Sequence, residues 1–169
     1  MESLLDPHLT PAQYAIGALL LLRLIEYGRA RRNAEMLLAD GAREVALDAH
    51  ARLAILHGVW LFAITYVAVA NRTLWEPAAI AFVPVLALRL WAVAKHGAGW
   101  SLRLFRPPPP VQPAAKRALD AATIAEFAVL PFAFGAWWLA AIFVPAGAWV
   151  LRDRARIEAR LLAGPSDSD

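Results

Sequence analysis

The chain has 169 residues, enough for one domain, and is 60% apolar but only 18% charged, against about 25% charged in an ordinary globular protein. Cysteine is absent, which excludes a disulfide framework, a thiolate nucleophile and any Cys-based metal site. The net charge of +3 is small, and Glu26, Glu35, Asp40, Glu44 and Asp48 interrupt the basic residues. That pattern argues against nucleic acid as a partner, because a phosphate backbone calls for an unbroken basic stripe.

The opening MESLLDPHLTP carries no basic n-region, so the first apolar run is expected to persist as a membrane span rather than be cleaved. A helix is expected over about 12–38, apolar through AIGALLLLRLI and polar through YGRARRNAEMLLA, stopped by Asp40-Gly41, since Gly accepts the left-handed geometry of a helix end. A second helix, about 52–71, contains LAILHGVWLFAITYVAVAN, close to the ~20 residues a span requires. Pro77 opens a third, about 77–95, because proline suits the first turn. From 96 to 117 the chain reads HGAGW and then RPPPPVQP. Proline lacks the amide donor a helix needs, and irregular backbone cannot face hydrocarbon, so this loop is placed in water or at the interface. The last apolar stretch, Ala118 to Leu151, is too long for one span and short for two. Gly135, with Pro131 before it, divides it into helices of about 118–134 and 136–162.

The positive charge supports this count. Of 17 Lys and Arg residues, 14 fall into three clusters between the apolar runs: Arg29, Arg31, Arg32, Arg43 and Arg52; Lys95, Arg103, Arg106, Lys116 and Arg117; Arg152, Arg154, Arg156 and Arg160. Only Arg72 sits in the other loops. Membrane proteins keep such clusters on the cytoplasmic side. The expected fold is therefore all-α and integral to the membrane. It comprises one domain of five transmembrane helices, the last two a tight hairpin, with the N-terminus outside and the C-terminus inside. Most of the seven tryptophans sit near run ends, as an interfacial belt requires.

Ionisable groups at membrane depth cost at least ~2.5–3.5 kcal/mol each and so face a partner or a polar cavity. Three qualify. Arg23 is three residues from Glu26 and can pair with it. Arg89 lies six residues, or ~9 Å, inside Lys95. Glu126 has no charged neighbour within a turn and needs either a proton or a cation from another element, with Arg89 and the C-terminal arginines as candidates. Arg89 and Glu126 are the two candidate catalytic residues. His50 and His57 lack further ligands at metal-site spacing, and no metal is assigned; they read as structural histidines. No GxGxxG, P-loop or GxSxG motif occurs. Arg152, Arg156 and Arg160 form one i, i+4 row, and Arg154 and Glu158 another. These rows suit a basic surface helix or a lid gripping an anion.

Several segments resemble the bacterial isoprenylcysteine carboxyl methyltransferase-like membrane proteins. RLIEYGRARRNAEMLLADGAREVALDAHARLAILHGVWL is similar to their N-terminal half through Arg32-Asn33, Gly41-Ala42, Glu44, Leu56-His57 and Trp60-Leu61. LRLWAVAKHGAGWSLRLF matches an Arg-aromatic-Trp helix end and Trp-Ser-x-Arg segment through Arg89, Trp91, Gly97, Trp100, Ser101 and Arg103. RARIEARLL matches a closing helix through Arg154, Arg156 and Glu158, and Glu126 takes the place of a family glutamate. Where the family has Gly-Pro-Tyr and Arg-His-Pro-x-Tyr, this chain has RPPPPVQPAAKR, and Ala159 replaces a second glutamate.

The resemblance implies S-adenosyl-L-methionine as cofactor, held by Trp100, Arg103, Glu126, Arg154, Arg156 and Glu158. It implies methyl transfer to a carboxylate or other oxygen of a lipophilic, isoprenoid- or polyketide-like acceptor entering from the bilayer. The location implied is the bacterial inner, cytoplasmic membrane. A catalytically inactive relative, serving as a lipid- or partner-binding module, is the alternative.

Overall fold

The structure, a computed structural model, describes residues 9–106 and 112–163. Five long helices account for most of it: α1 (Pro11–Ala39), α2 (Leu47–Asn71), α3 (Glu76–His96), α4 (Pro113–Ala133) and α5 (Trp137–Ala163). A single 3-10 turn, Gly97–Gly99, follows α3. Two three-residue strands, β1 (Arg43–Val45) and β2 (Leu104–Arg106), pair antiparallel, with Glu44 opposite Phe105. Residues 107–111, where the run of prolines falls, lie outside the described residues.

Local chemistry sets the helix ends. Thr10 and Gln13 form a reciprocal capping box at the start of α1, satisfying amides that the first turn leaves without carbonyls. Pro77 sits in the first turn of α3 and Pro113 opens α4. The α4–α5 turn closes as a Schellman motif: the Ala136 amide donates to the Pro131 carbonyl (2.8 Å) and the Gly135 amide to that of Phe132 (3.1 Å). That motif needs a left-handed residue just past the helix, and Gly135 supplies it at φ 70°.

The expected boundaries differ in two places. Helix α2 starts at Leu47 rather than about 52, because Ala46 takes a left-handed conformation directly after β1. Helix α4 starts at Pro113 rather than about 118, since Lys116 and Arg117 prolong the apolar run as a polar opening turn. The expected loop 96–117 is correspondingly shorter, and β2 pins its middle to the α1–α2 connection, a pairing that no alternating pattern announced.

The core is built from one face of each of four helices. Ile16 and Leu19 of α1, Trp60 and Ile64 of α2, Phe127 and Leu130 of α4, and Leu139 and Phe143 of α5 form its centre. Helix α3 packs chiefly on α4. At Gly147, α5 passes so close to α4 that an added Cβ would lie 2.7 Å from the Phe127 ring. The outside is the reverse of a soluble bundle. Leu21, Ile25, Ile55, Phe62, Tyr66, Ile80, Val83, Ile142 and Trp149 are all exposed, so large apolar side chains face outward on four of the five helices. Two helices, Leu47–Asn71 and Glu76–His96, are long and apolar enough by composition to cross a membrane. The other three fall short, because α1 contains Arg23 and Glu26, α4 contains Lys116, Arg117, Asp120 and Glu126, and α5 turns basic from Arg152.

Candidate functional site: a buried charge network beneath a basic end

Alternating helix directions give the bundle two chemically distinct ends. At one, the Trp75 amide donates to the Ala133 carbonyl (2.8 Å) and Asn71 Nδ2 to the Phe134 carbonyl (3.3 Å), joining the α2–α3 turn to the α4–α5 turn. The other end gathers residues from all three basic clusters. Arg103 Nη1 meets Glu44 (2.8 Å), Arg52 meets Asp153 (2.9 Å), and Lys116 pairs with Glu158. Asn33 of α1 clamps the loop after α3, its Nδ2 donating to the carbonyls of Trp100 (2.8 Å) and Gly97 (3.2 Å).

Below this end lies a closed network on three helices. Arg23 Nη2 reaches both carboxylate oxygens of Glu126 at 2.8 Å, and Arg23 also pairs with Glu26 through Nη1. Arg89 Nε lies 3.1 Å from each Glu26 oxygen and Nη2 3.0 Å from Oε2. Its Nη1 donates to Thr123 Oγ1 (3.2 Å) and Glu126 Oε2 (3.4 Å). Thr123 Oγ1 in turn donates a hydrogen bond to the Leu119 carbonyl (2.9 Å). Two guanidiniums thus face two carboxylates, and all four side chains are buried, Glu126 completely. Bidentate geometry is what makes an ion pair tolerable away from water. The sequence expectation that Arg23 pairs with Glu26 and that Arg89 meets Glu126 is realised. The C-terminal arginines, the other proposed partners of Glu126, stay at the basic end, and Arg23 takes that place.

Above the network, at the mouth of the α4–α5 hairpin, sits a half-buried ionisable group. Lys116 and Glu158 pair across the hairpin, Arg154 Nε holds Glu158 Oε1 at 3.2 Å, and Asp120 lies within electrostatic reach of Lys116, Arg154 and His96. Burial pulls both Lys116 and Arg154 below their ordinary pKa values, the negative charge of Asp120 opposing the shift in each case. Lys116, Asp120, Thr123 and Glu126 recur every three or four residues along α4. They form one polar stripe leading from this mouth into the network.

The residues nominated from sequence therefore do not form one site. Arg89 and Glu126 belong to the buried network. Arg154 and Glu158 belong to the mouth group. Trp100 is buried against Ala30 and Val93, and Arg103 is committed to Glu44 across the β1–β2 pair. Arg156 is exposed on the opposite side of α5 from Arg154, about 200° around the helix at 100° per residue. Sequence reasoning did not nominate Asn33, Lys116, Asp120 or Thr123 as site residues. The period of Lys116, Asp120 and Thr123 on one face with Glu126 was the available signal. His57 packs between the rings of Trp60 (5.7 Å) and Phe127 (5.3 Å), a core position.

The chain matches no protein-family model, no curated protein and no solved structure.

Proposed function

We propose that the chain is an integral membrane protein with all five helices in the bilayer, the N-terminus outside and the basic end in the cytoplasm. At that end it carries out S-adenosyl-L-methionine-dependent methyl transfer to a carboxylate or other oxygen of a lipophilic acceptor. The exposed apolar surface and the gathering of the basic clusters at one end support the topology. The observation that carries the activity is the mouth group of the α4–α5 hairpin, where partly buried cations and carboxylates meet at the basic end of the bundle. Titratable groups perturbed by burial and by a specific charge partner are the physical signature of a functional-site candidate.

The donor set suits the amino-acid end of the cofactor. Lys116 and Arg154 offer cations to its carboxylate, and Glu158 and Asp120 offer acceptors to its ammonium group or ribose hydroxyls. When bound, the cofactor supplies a methyl group on a sulfonium, open to direct displacement. The chain's residues then need only hold the acceptor oxygen in line and keep water out, so alignment carries most of the rate. The Arg89–Glu126 network serves this reading as the rigid floor of the site.

A second reading, a non-catalytic module binding lipid or a partner on the same frame, is favoured by one observation. Arg89 and Glu126, the candidate catalytic groups, are fully engaged with Arg23, Glu26 and Thr123 rather than presented to a ligand. Titration calorimetry of the detergent-purified protein with S-adenosyl-L-methionine separates the two. Methyl transfer requires binding, weakened at least about tenfold, or ~1.4 kcal/mol, by Arg154→Gln. Absence of binding at millimolar cofactor leaves only the module.

A further inference from the structure

The cytoplasmic extension of α5 has two faces with different fates. Asp153, Arg154, Ile157 and Glu158 turn inward, and the three charged ones pair with Arg52, Lys116 and each other. Arg152, Arg156 and Arg160 turn outward, all exposed, and among the described residues none has an acidic partner. This row continues an apolar one. Trp138, Ile142, Pro145 and Trp149 occupy the same helix face, within about 40° of a line at 100° per residue, and all are exposed. The face changes from aromatic to cationic in a single turn, between Trp149 and Arg152.

The same change occurs at the same end of two other helices. On α3, exposed Trp91 is followed one turn later by exposed Lys95; on α1, exposed Ile25 and Tyr27 give way to Arg31 and Arg32. Three helices thus mark one boundary between apolar and basic surface, with tryptophan on the apolar side in two of them, as at a membrane–water interface.

We propose that the outward arginine row of α5 is a binding site for the phosphates of anionic phospholipids in the leaflet that meets the basic end. The proposal rests on the membrane reading above and not on methyl transfer. Depth decides which arginines take part. A headgroup layer is roughly 5–8 Å thick, from the difference between a ~30 Å core and a ~40–45 Å bilayer. Arg156 lies ~6 Å beyond Arg152 along the helix and Arg160 ~12 Å beyond it. With the layer beginning at Arg152, the first cation past the aromatic band, Arg152 and Arg156 fall within the phosphate layer, while Arg160 stands past it in water. Guanidinium geometry suits two phosphate oxygens at once.

The test uses the full chain reconstituted in phosphatidylcholine vesicles containing trace spin-labelled phosphatidylglycerol or spin-labelled phosphatidylcholine, comparing the motionally restricted fractions. The wild type is expected to prefer the anionic lipid. Each arginine at the phosphate layer is expected to contribute up to about five-fold, the ~1 kcal/mol of a basic residue near an anionic surface converted to a ratio. Arg152→Gln combined with Arg156→Gln should cut the preference at least five-fold; Arg160→Gln should leave it within two-fold. Raising salt from 0.1 to 0.5 M should lower the wild-type preference, because exposed charges are screened, and this arm needs no variant. Unchanged preference in the double variant, or an Arg160→Gln loss as large as the double variant's, overturns the proposal. Release of the wild-type chain from the vesicles by alkaline carbonate overturns the membrane reading as well. A chain that stays embedded without lipid preference overturns the lipid site alone.

Discussion

Changing Glu126 to Gln removes one carboxylate from a buried network of zero net charge. At about 3 Å, each guanidinium–carboxylate pair contributes roughly 5–6 kcal/mol of attraction at an effective dielectric near 20. Dehydrating each ion costs several kcal/mol in return. The intact network therefore contributes little net stability, and the loss falls on what remains when one member goes. In Glu126→Gln the shape and one acceptor persist, but Arg23 and Arg89 must share Glu26, leaving one uncompensated positive charge on completely enclosed ground. Breaking a buried pair in this way costs about 3–5 kcal/mol. For a chain of this length ~1 kcal/mol moves the melting midpoint by about 2–4 °C, so a fall of about 6–20 °C is expected. Circular dichroism melts in mild detergent at one fixed scan rate would measure it, the rate held because such unfolding is often irreversible. Adding Arg23→Gln to Glu126→Gln removes the surplus charge and should recover part of the loss, which isolates the coupling between the two. A Glu126→Gln midpoint within about 2 °C of wild type, less than ~1 kcal/mol, would falsify the charge-balance account; so would a double variant no more stable than the two losses summed.

Other parts of the fold yield sharper local tests. Gly147→Ala drives a methyl into the Phe127 ring, 2.7 Å away at two carbons, and should cost about 1–3 kcal/mol by overpacking; Phe127→Leu in the same chain should restore part of the melting midpoint. Asn33→Leu strips the donor from the Gly97 and Trp100 carbonyls, a loss of about 1–3 kcal/mol if they stay dry. Amide exchange should then quicken across residues 97–106, and protection there equal to wild type would show that the loop is held by other contacts.

Much of this architecture was legible in the chain. Five helices, their order, the break at Gly135 and the gathering of the basic clusters follow from apolar run lengths, proline and glycine positions, and charge spacing. These are properties of single segments, and a helix end answers to neighbours a few residues away. The Arg23–Glu26 pair was legible for the same reason, since three residues along a helix bring two side chains together. The early start of α2 was not, because it depends on β1 pairing with a strand some sixty residues on.

The grouping of the site residues belongs to the tertiary structure alone. The sequence reading offers Arg89 and Glu126 as candidate catalytic groups, and the resemblance implies one cofactor set of Trp100, Arg103, Glu126, Arg154, Arg156 and Glu158. Packing places Glu126 against Arg23 and Arg89, draws Arg154 and Glu158 to Lys116, and turns Arg156 to the outside. Sequence determined which charges lie deep and which lie at the basic end, because burial depth along a helix counts in residues. Which charge neutralises which was decided by the contact of α1, α3 and α4. Electrostatic pairing acts over a few ångströms, and helices distant in sequence come that close only once the bundle has formed.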